Sequence, residues 1–362
     1  MFINRWDAGI PGLRETSSVA FRQGAGGLPV KSISLFALIA ALSGCAVVPD
    51  GMLAYRPATA STFEAPVRLD LPAAGATLSP AQEMYPFAAM SENVYHPHTA
   101  GDAPVSRTPD RLESACVKGG AEALPIGSRW LMQGFPSDSD ELDDVHNLRI
   151  QLWGRKPPDS TRIEELVVVF RGTEARHGQD WYANLRWLMP WRVDHYTLTS
   201  GTIATELQAW LQEKIAAGDV APDVKLVATG HSLGGGLAQQ MAYAFRAPTN
   251  AGTLRFDRVY AFDPSPVTGW VHTDQDLRKR NASGLQTDRI LEDGEALSYL
   301  RTVLGIFLQP SGADPAIRGV KFNFKHSYNP FSNHSMRLIA CSLAKYMAPD
   351  TIDIDTRGLE AE

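Results

Sequence analysis

The sequence predicts an α/β protein: a mostly parallel central sheet with helices on both faces. Three observations predict it. ELVVVFRGTE (165–174) and VKLVAT (224–229) are short, continuous apolar runs, the pattern of strands buried on both sides. TIATELQAWLQEKIAAG (202–218) lies between them, with helical spacing of its apolar residues and a terminal glycine suited to a C-cap. LAQQMAYAFRA then reads as another helix and DRVYAFDPSP (257–266) as a third strand with a loop at its end, so strand and helix alternate.

The remaining elements follow along the chain. Lys31 precedes SISLFALIAALSGC (32–45): a basic residue, an apolar stretch, then small residues, which is the layout of a signal peptide. Leu42-Ser43-Gly44-Cys45 resembles the lipobox of bacterial lipoproteins, and the resemblance implies a lipidated Cys45 as first mature residue. Ala46 in place of Asp implies, by likeness to Gram-negative lipoproteins, the outer membrane. Val30 stands just before Lys31, and a valine codon can start a bacterial chain, so 1–29 reads as a mis-assigned start and 1–44 as leader. Residues 45–79 are rich in Ala, Pro, Thr and Gly and read as a flexible tether. The globular domain is expected over 80–350, followed by a tail at 351–362. It opens with the helical pattern AQEMYPFAAMSENVY (81–95). SRWLMQGF (128–135) and LRIQLWGR (148–155) read as strands around SDSDELDD, a solvated acidic turn that lacks the glycine and spacing of a calcium loop.

Bulk numbers bound the function. The 362 residues suffice for one large α/β domain with a sizeable core, and 44% hydrophobic with 20% charged residues is ordinary for a globular chain. A net charge of −6 offers no basic excess to attract nucleic acid. No stretch reaches the roughly 20 apolar residues of a membrane span. Cys116 and Cys341 are either a disulfide, as an oxidising compartment would permit, or two buried thiols.

The chemistry centres on GHSLGGG. Ser232 falls between a predicted strand and a predicted helix, the context that makes G-x-S-x-G a nucleophile elbow. Gly230 and Gly234 remove two Cβ atoms from a crowded turn, and the helix that follows points its N-terminus at the reacting centre. A serine needs a base, an acid that orients the base, and oxyanion donors. Among the histidines after Ser232, His272 comes too early and His326 is second choice. His334, in a loop running into a helix, is the expected base. His231 cannot fold back onto its neighbour and is expected to be packed. The acid stays open between Asp263, at the end of the third strand, and Glu295 with nearby Asp293. The backbone N–H of Leu233 and the N–H and hydroxyl of Thr173 are the candidate oxyanion donors.

VVVFRGTE, DWYANL, VATGHSLGGGLAQQMA, FDPSPVTG, RILEDGEALSYL and NHSMRL together resemble the class 3 lipase family in order and spacing, over roughly residues 80–345. The resemblance implies an α/β-hydrolase fold and hydrolysis of acylglycerols, phospholipids or related esters. It carries the nucleophile onto Ser232, the oxyanion residue onto Thr173 and the histidine onto His334. The family's aspartate falls on Glu295, whereas FDPSP also resembles the acid-bearing segment of pancreatic-type lipases and points to Asp263. DWYANLRWLMPWR (180–192) reads either as a lipid-facing lid or as core packing.

The expected protein is therefore an outer-membrane lipoprotein and serine carboxylic-ester hydrolase, of triacylglycerol-lipase type. Its partners are a lipid or small-ester substrate and the membrane through its anchor, with no cofactor, metal, nucleic acid or obligate protein partner. A phospholipase A1-type acylhydrolase, an amidase or an acyltransferase on the same triad, and a non-catalytic envelope scaffold, are the competing expectations.

Overall fold

The computed structural model describes residues 51–56, 67–68, 74–96, 109–116, 122–135, 148–172, 198–265, 273–295, 297, 316–324, 330 and 332–347. Cys45, Thr173, the 180–192 segment, His272, His326, the leader and the C-terminal tail lie outside the described residues.

Nine strands form one sheet: β1 (Gly51–Arg56), β2 (Val67–Arg68), β3 (Trp130–Gln133), β4 (Ile150–Arg155), β5 (Ile163–Phe170), β6 (Val220–His231), β9 (Phe256–Phe262), β10 (Gln286–Glu292) and β11 (Ala316–Asn323). A separate small hairpin pairs β7 (Ala247–Thr249) with β8 (Gly252–Leu254). The sheet order is β2-β1-β11-β10-β9-β6-β5-β4-β3. The five central strands β11, β10, β9, β6 and β5 run parallel, and antiparallel strands flank them on each side. This is the mostly parallel sheet expected from the alternating pattern. Its consequence for function is directional: the C-terminal ends of five neighbouring strands open onto one rim, where loops from distant parts of the chain meet.

Helices cover both faces. On one side, α1 (Ala74–Asn93), α2 (Pro109–Ala115) and α6 (Met336–Met347) share a core with Val167, Val169, Val227, Phe262, Ile290 and Val320. On the other side, α3 (Ala204–Ala217) and α4 (Leu233–Ala244) pack on Leu166, Val168, Phe170, Leu226, Ala228 and Val259. Alternate residues of β5 thus enter opposite cores, which is why its sequence is apolar without a break. The remaining helix, α5 (Gln275–Ala282), starts at Asp274, whose Oδ1 caps the N–H groups of Asp276 and Leu277. Gly218 closes α3 with φ 81°, the left-handed C-cap its position predicted.

The tether expected over 45–79 is corrected in part. Gly51–Arg56 pairs antiparallel with β11, Val67–Arg68 pairs with β1, and α1 begins at Ala74. A stretch that lacks clear periodicity can still be a short strand, because pairing needs backbone groups more than an alternating pattern. The cysteine question is settled as a disulfide. Cys116 and Cys341 are joined across 225 residues, linking the end of α2 to α6. Arg337 reinforces that link by donating to Glu92 Oε1 at 3.1 Å, to the Glu122 carbonyl at 3.0 Å and to the Ala115 carbonyl.

Candidate active site

β6 ends at His231 and α4 begins at Leu233, leaving Ser232 alone at the junction with φ 56° and ψ −121°. That backbone conformation is strained for a residue with a Cβ, and strain of this kind persists only where its surroundings hold it. The surroundings are explicit. Ser232 N–H donates to the Phe262 carbonyl at 3.0 Å, and the Ser232 carbonyl accepts from Ser265 N–H at 2.8 Å and from Gly235 N–H at 3.1 Å. The flanking glycines permit the close approach. A Cβ on Gly230 would lie 2.5 Å from Gly234 backbone atoms, and one on Gly234 would overlap the Phe170 carbonyl oxygen. Helix α4 can therefore sit directly on the strand ends, with Leu233 N–H among its first N–H groups, which no carbonyl of the helix itself can reach. Gly172, just past the neighbouring β5, is comparably tight, since a Cβ there would lie 2.5 Å from the Tyr95 hydroxyl and 2.6 Å from the His231 carbonyl oxygen. The residue after it, Thr173, lies outside the described residues.

His334 closes a short 3-10 turn, Ser332–His334, just before α6. Its ring centroid lies 4.6 Å from that of His231, the residue preceding Ser232, so the imidazole of the chain's end reaches the rim of β6. The sequence left three carboxylates open, and the structure treats them differently. Glu295 Oε2 is 3.0 Å from His334 Nδ1 and also accepts Leu297 N–H at 2.7 Å. Asp263 Oδ2 is 4.0 Å from the same nitrogen. Asp293 turns away and pairs with Lys321 on β11. Asp263 and Glu295 are fully buried, and His334 is nearly so. An engaged Nδ1 leaves Nε2 as the nitrogen available for the serine proton.

Sequence reasoning missed part of the rim. His231 is packed, as expected, but it packs against His334, and its Nδ1 is 3.3 Å from the Tyr95 hydroxyl. That hydroxyl accepts Gly172 N–H at 3.1 Å, so one tyrosine joins the end of β5 to the residue before the serine. Tyr95 closed the expected first helix as its last apolar position; its partners are 77 and 136 residues away, and no local signal reports them. Glu292, at the end of β10, is a further buried carboxylate, whose Oε1 accepts Phe324 N–H at 2.7 Å. Among the described residues, one group has metal-ligand geometry: ligand atoms of His231, Asp263 and His334 lie within 4.8 Å of one another. His334 Nδ1 is already engaged by Glu295, and its ring packs on His231, the residue before the strained serine, so proton transfer is the chemistry this arrangement fits.

Fold and rim together define an α/β protein with a mostly parallel sheet and a histidine–carboxylate pair at the strand ends. Part of the chain is similar to a phospholipase-like family. Residues 88–261 match the family model described as phospholipase-like, Tle-like phospholipase domain. The matched segment holds Tyr95, Gly172 and Ser232 and stops before Asp263, Glu295 and His334. No curated protein matches the chain. Solved structures similar to it include two of the Rhizomucor miehei lipase propeptide complex. A deletion mutant is 17% identical over 61% of this chain, with TM-score 0.38, and the native complex is 16% identical over 67%, with TM-score 0.37. The chain spans 62% of the first and 75% of the second. Acetyl xylan esterase 1 from a Thermoanaerobacterium species is 14% identical over 68% of this chain and 96% of its own, with TM-score 0.25.

Proposed function

We propose that the chain is a serine hydrolase of lipid carboxylic esters. The observation that carries this reading is the convergence at one rim of the strained Ser232 with a buried imidazole–carboxylate pair, His334 and Glu295, drawn from well beyond it along the chain. The description of the matching family supports a lipid substrate, and within that class it favours a phospholipid acyl ester over a neutral glyceride.

In this mechanism His334 Nε2 takes the proton of Ser232 Oγ as the oxygen attacks the ester carbonyl. Glu295 accepts Nδ1–H, which fixes the ring and stabilises the imidazolium. The oxyanion is held by Leu233 N–H, with Thr173 as the second donor, in a site where each such donor is worth about 3 kcal/mol in the transition state. His334 then returns the proton to the leaving alkoxide. Water, activated by the same imidazole, cleaves the acyl-enzyme and releases the fatty acid and free Ser232.

Lipidation at Cys45 and residence at the outer membrane belong to the same proposal. The Cys116–Cys341 disulfide supports an oxidising compartment. The test is a fluorophosphonate probe on the folded protein, followed by a panel of p-nitrophenyl esters, diacyl phospholipids and triacylglycerols. We expect labelling that Ser232→Ala removes, together with release of fatty acid from at least one lipid class. A folded wild-type protein that neither labels nor hydrolyses any of them would leave the scaffold reading.

A further inference from the structure

The turn that follows β9, residues 262–265, touches both partners of the proposed reaction. It holds the serine backbone from two sides, through the Phe262 carbonyl and the Ser265 N–H. Between these contacts sits Asp263, fully buried and with φ 37°, a left-handed conformation that few residues other than glycine adopt. A buried carboxylate on a strained backbone is costly twice over, so its surroundings must compensate. Asp263 N–H donates to the Ile290 carbonyl at 2.8 Å, and its Oδ1 accepts Glu292 N–H at 2.9 Å. Its Oδ2 faces His334 Nδ1 at 4.0 Å, one ångström beyond the distance Glu295 keeps to the same atom.

We propose that Asp263 is a second carboxylate for His334, a positioning residue that works beside Glu295. This rests on the serine-hydrolase reading above. Glu295 accepts the Nδ1 proton. Asp263 adds a second negative charge on the same side of the ring and stands ready as acceptor when Glu295 is lost. An anion within about 4–6 Å favours the charged imidazole, and that form appears when the serine proton is transferred. The strained turn explains the placement: the conformation at Asp263 lets one four-residue segment clamp the nucleophile and still aim a carboxylate at the base. The groups around His334 among the described residues are Glu295 after β10, Asp263 after β9 and His231 at the end of β6. Glu292 stands behind Asp263, and Arg171 follows β5 on the same rim.

The experiment is the pH dependence of fluorophosphonate labelling in the full chain, for wild type, Asp263→Asn, Glu295→Gln, the double variant and His334→Ala, with thermal unfolding in parallel. Asparagine keeps an oxygen for Glu292 N–H, so a merely structural role would leave the pH profile in place. We expect Asp263→Asn to slow labelling about tenfold and to move its acid limb to lower pH by about one unit, because removing an anion disfavours the protonated imidazole. Glu295→Gln should label at least about tenfold faster than His334→Ala, with Asp263 taking the Nδ1 proton, and the double variant should fall to the His334→Ala rate. An unmoved acid limb in Asp263→Asn overturns the proposal. So does a Glu295→Gln rate no faster than His334→Ala, a comparison that stands even if Asp263→Asn does not fold. Wild-type protein that never labels fails the hydrolase reading itself, and that outcome is distinct from either of these.

Discussion

Two clusters of buried charge lie on the same sheet, and they are built on opposite principles. Near the strand starts, Asp288 of β10 is fully buried between two arginines. Arg318 reaches it from β11 through Nε at 2.6 Å and Nη2 at 2.8 Å, and Arg258 from β9 through Nε at 2.8 Å. Glu83 of α1 caps the group with bonds from Arg318 and an ion pair to Arg258, and the Tyr260 hydroxyl donates to it at 3.2 Å. Two cations meet two carboxylates at bidentate distances. At the strand ends, Asp263 and Glu295 instead face one imidazole, and each also accepts a peptide N–H. The balanced cluster pins α1 to the sheet and has nothing left to give a substrate. The rim cluster sets two carboxylates against one imidazole, whose ring packs on the residue before a strained serine. Buried charge is thus no marker of function; the way it is balanced is.

The contrast breaks or sharpens in four ways, from the largest expected effect down. Ser232→Ala should lower ester turnover by about five orders of magnitude, leaving the thermal unfolding temperature unchanged within about 2 °C, because the rim is built for reaction and not for stability. Retained turnover would move the chemistry off this rim. Arg318→Met should do the reverse. Removing one cation from the balanced cluster leaves Asp288 and Glu83 under-compensated, at about 3–5 kcal/mol of folding stability by denaturant titration, with turnover per folded molecule intact. Cys116→Ser should cost about 2–5 kcal/mol, since the disulfide closes a loop of 225 residues, and should lower turnover only through loss of folded protein. A fall in turnover per folded molecule would instead mean that the α6 tether sets the position of His334.

The smallest effect is one of pH. Burial alone would push the Glu83 carboxyl up, but the Arg318 hydrogen bonds and the charges of Arg258 and Arg318 outweigh it and hold it below the ordinary carboxylate range. A depressed carboxylate contributes stability that is fully present above its unfolded value and is lost as pH falls through its folded value. Glu83→Gln should therefore narrow the stability difference between neutral and acidic solution, read as the urea midpoint at pH 7 and near pH 3. An unchanged difference would place the acid sensitivity at the rim carboxylates instead. Tyr260, on the same cluster, is pushed up by burial and stays protonated throughout this range.

Much of this was legible in the sequence because it is local. The parallel strands β5 and β6 declared themselves by apolar runs, β9 by its place in the strand–helix alternation, and α3 by its spacing and Gly218. The serine elbow needed only the glycines on either side and the strand-to-helix change around it. The short strand at Gly51–Arg56 escaped because its partner β11 lies more than 260 residues away, and the disulfide because a bond across 225 residues has no local signature.

The sequence by itself determined where the Ser232 turn falls and where the buried strands β5, β6 and β9 lie along the chain, since both depend on neighbours within a few residues. The tertiary structure alone decided which carboxylate meets His334, that Asp263 lies one ångström farther from its Nδ1 than Glu295 does, and that Tyr95 joins the end of β5 to His231. The physical reason is range. Hydrogen bonds and ion pairs act over about 3–4 Å, and only the packed sheet brings strand ends from distant parts of the chain within that reach.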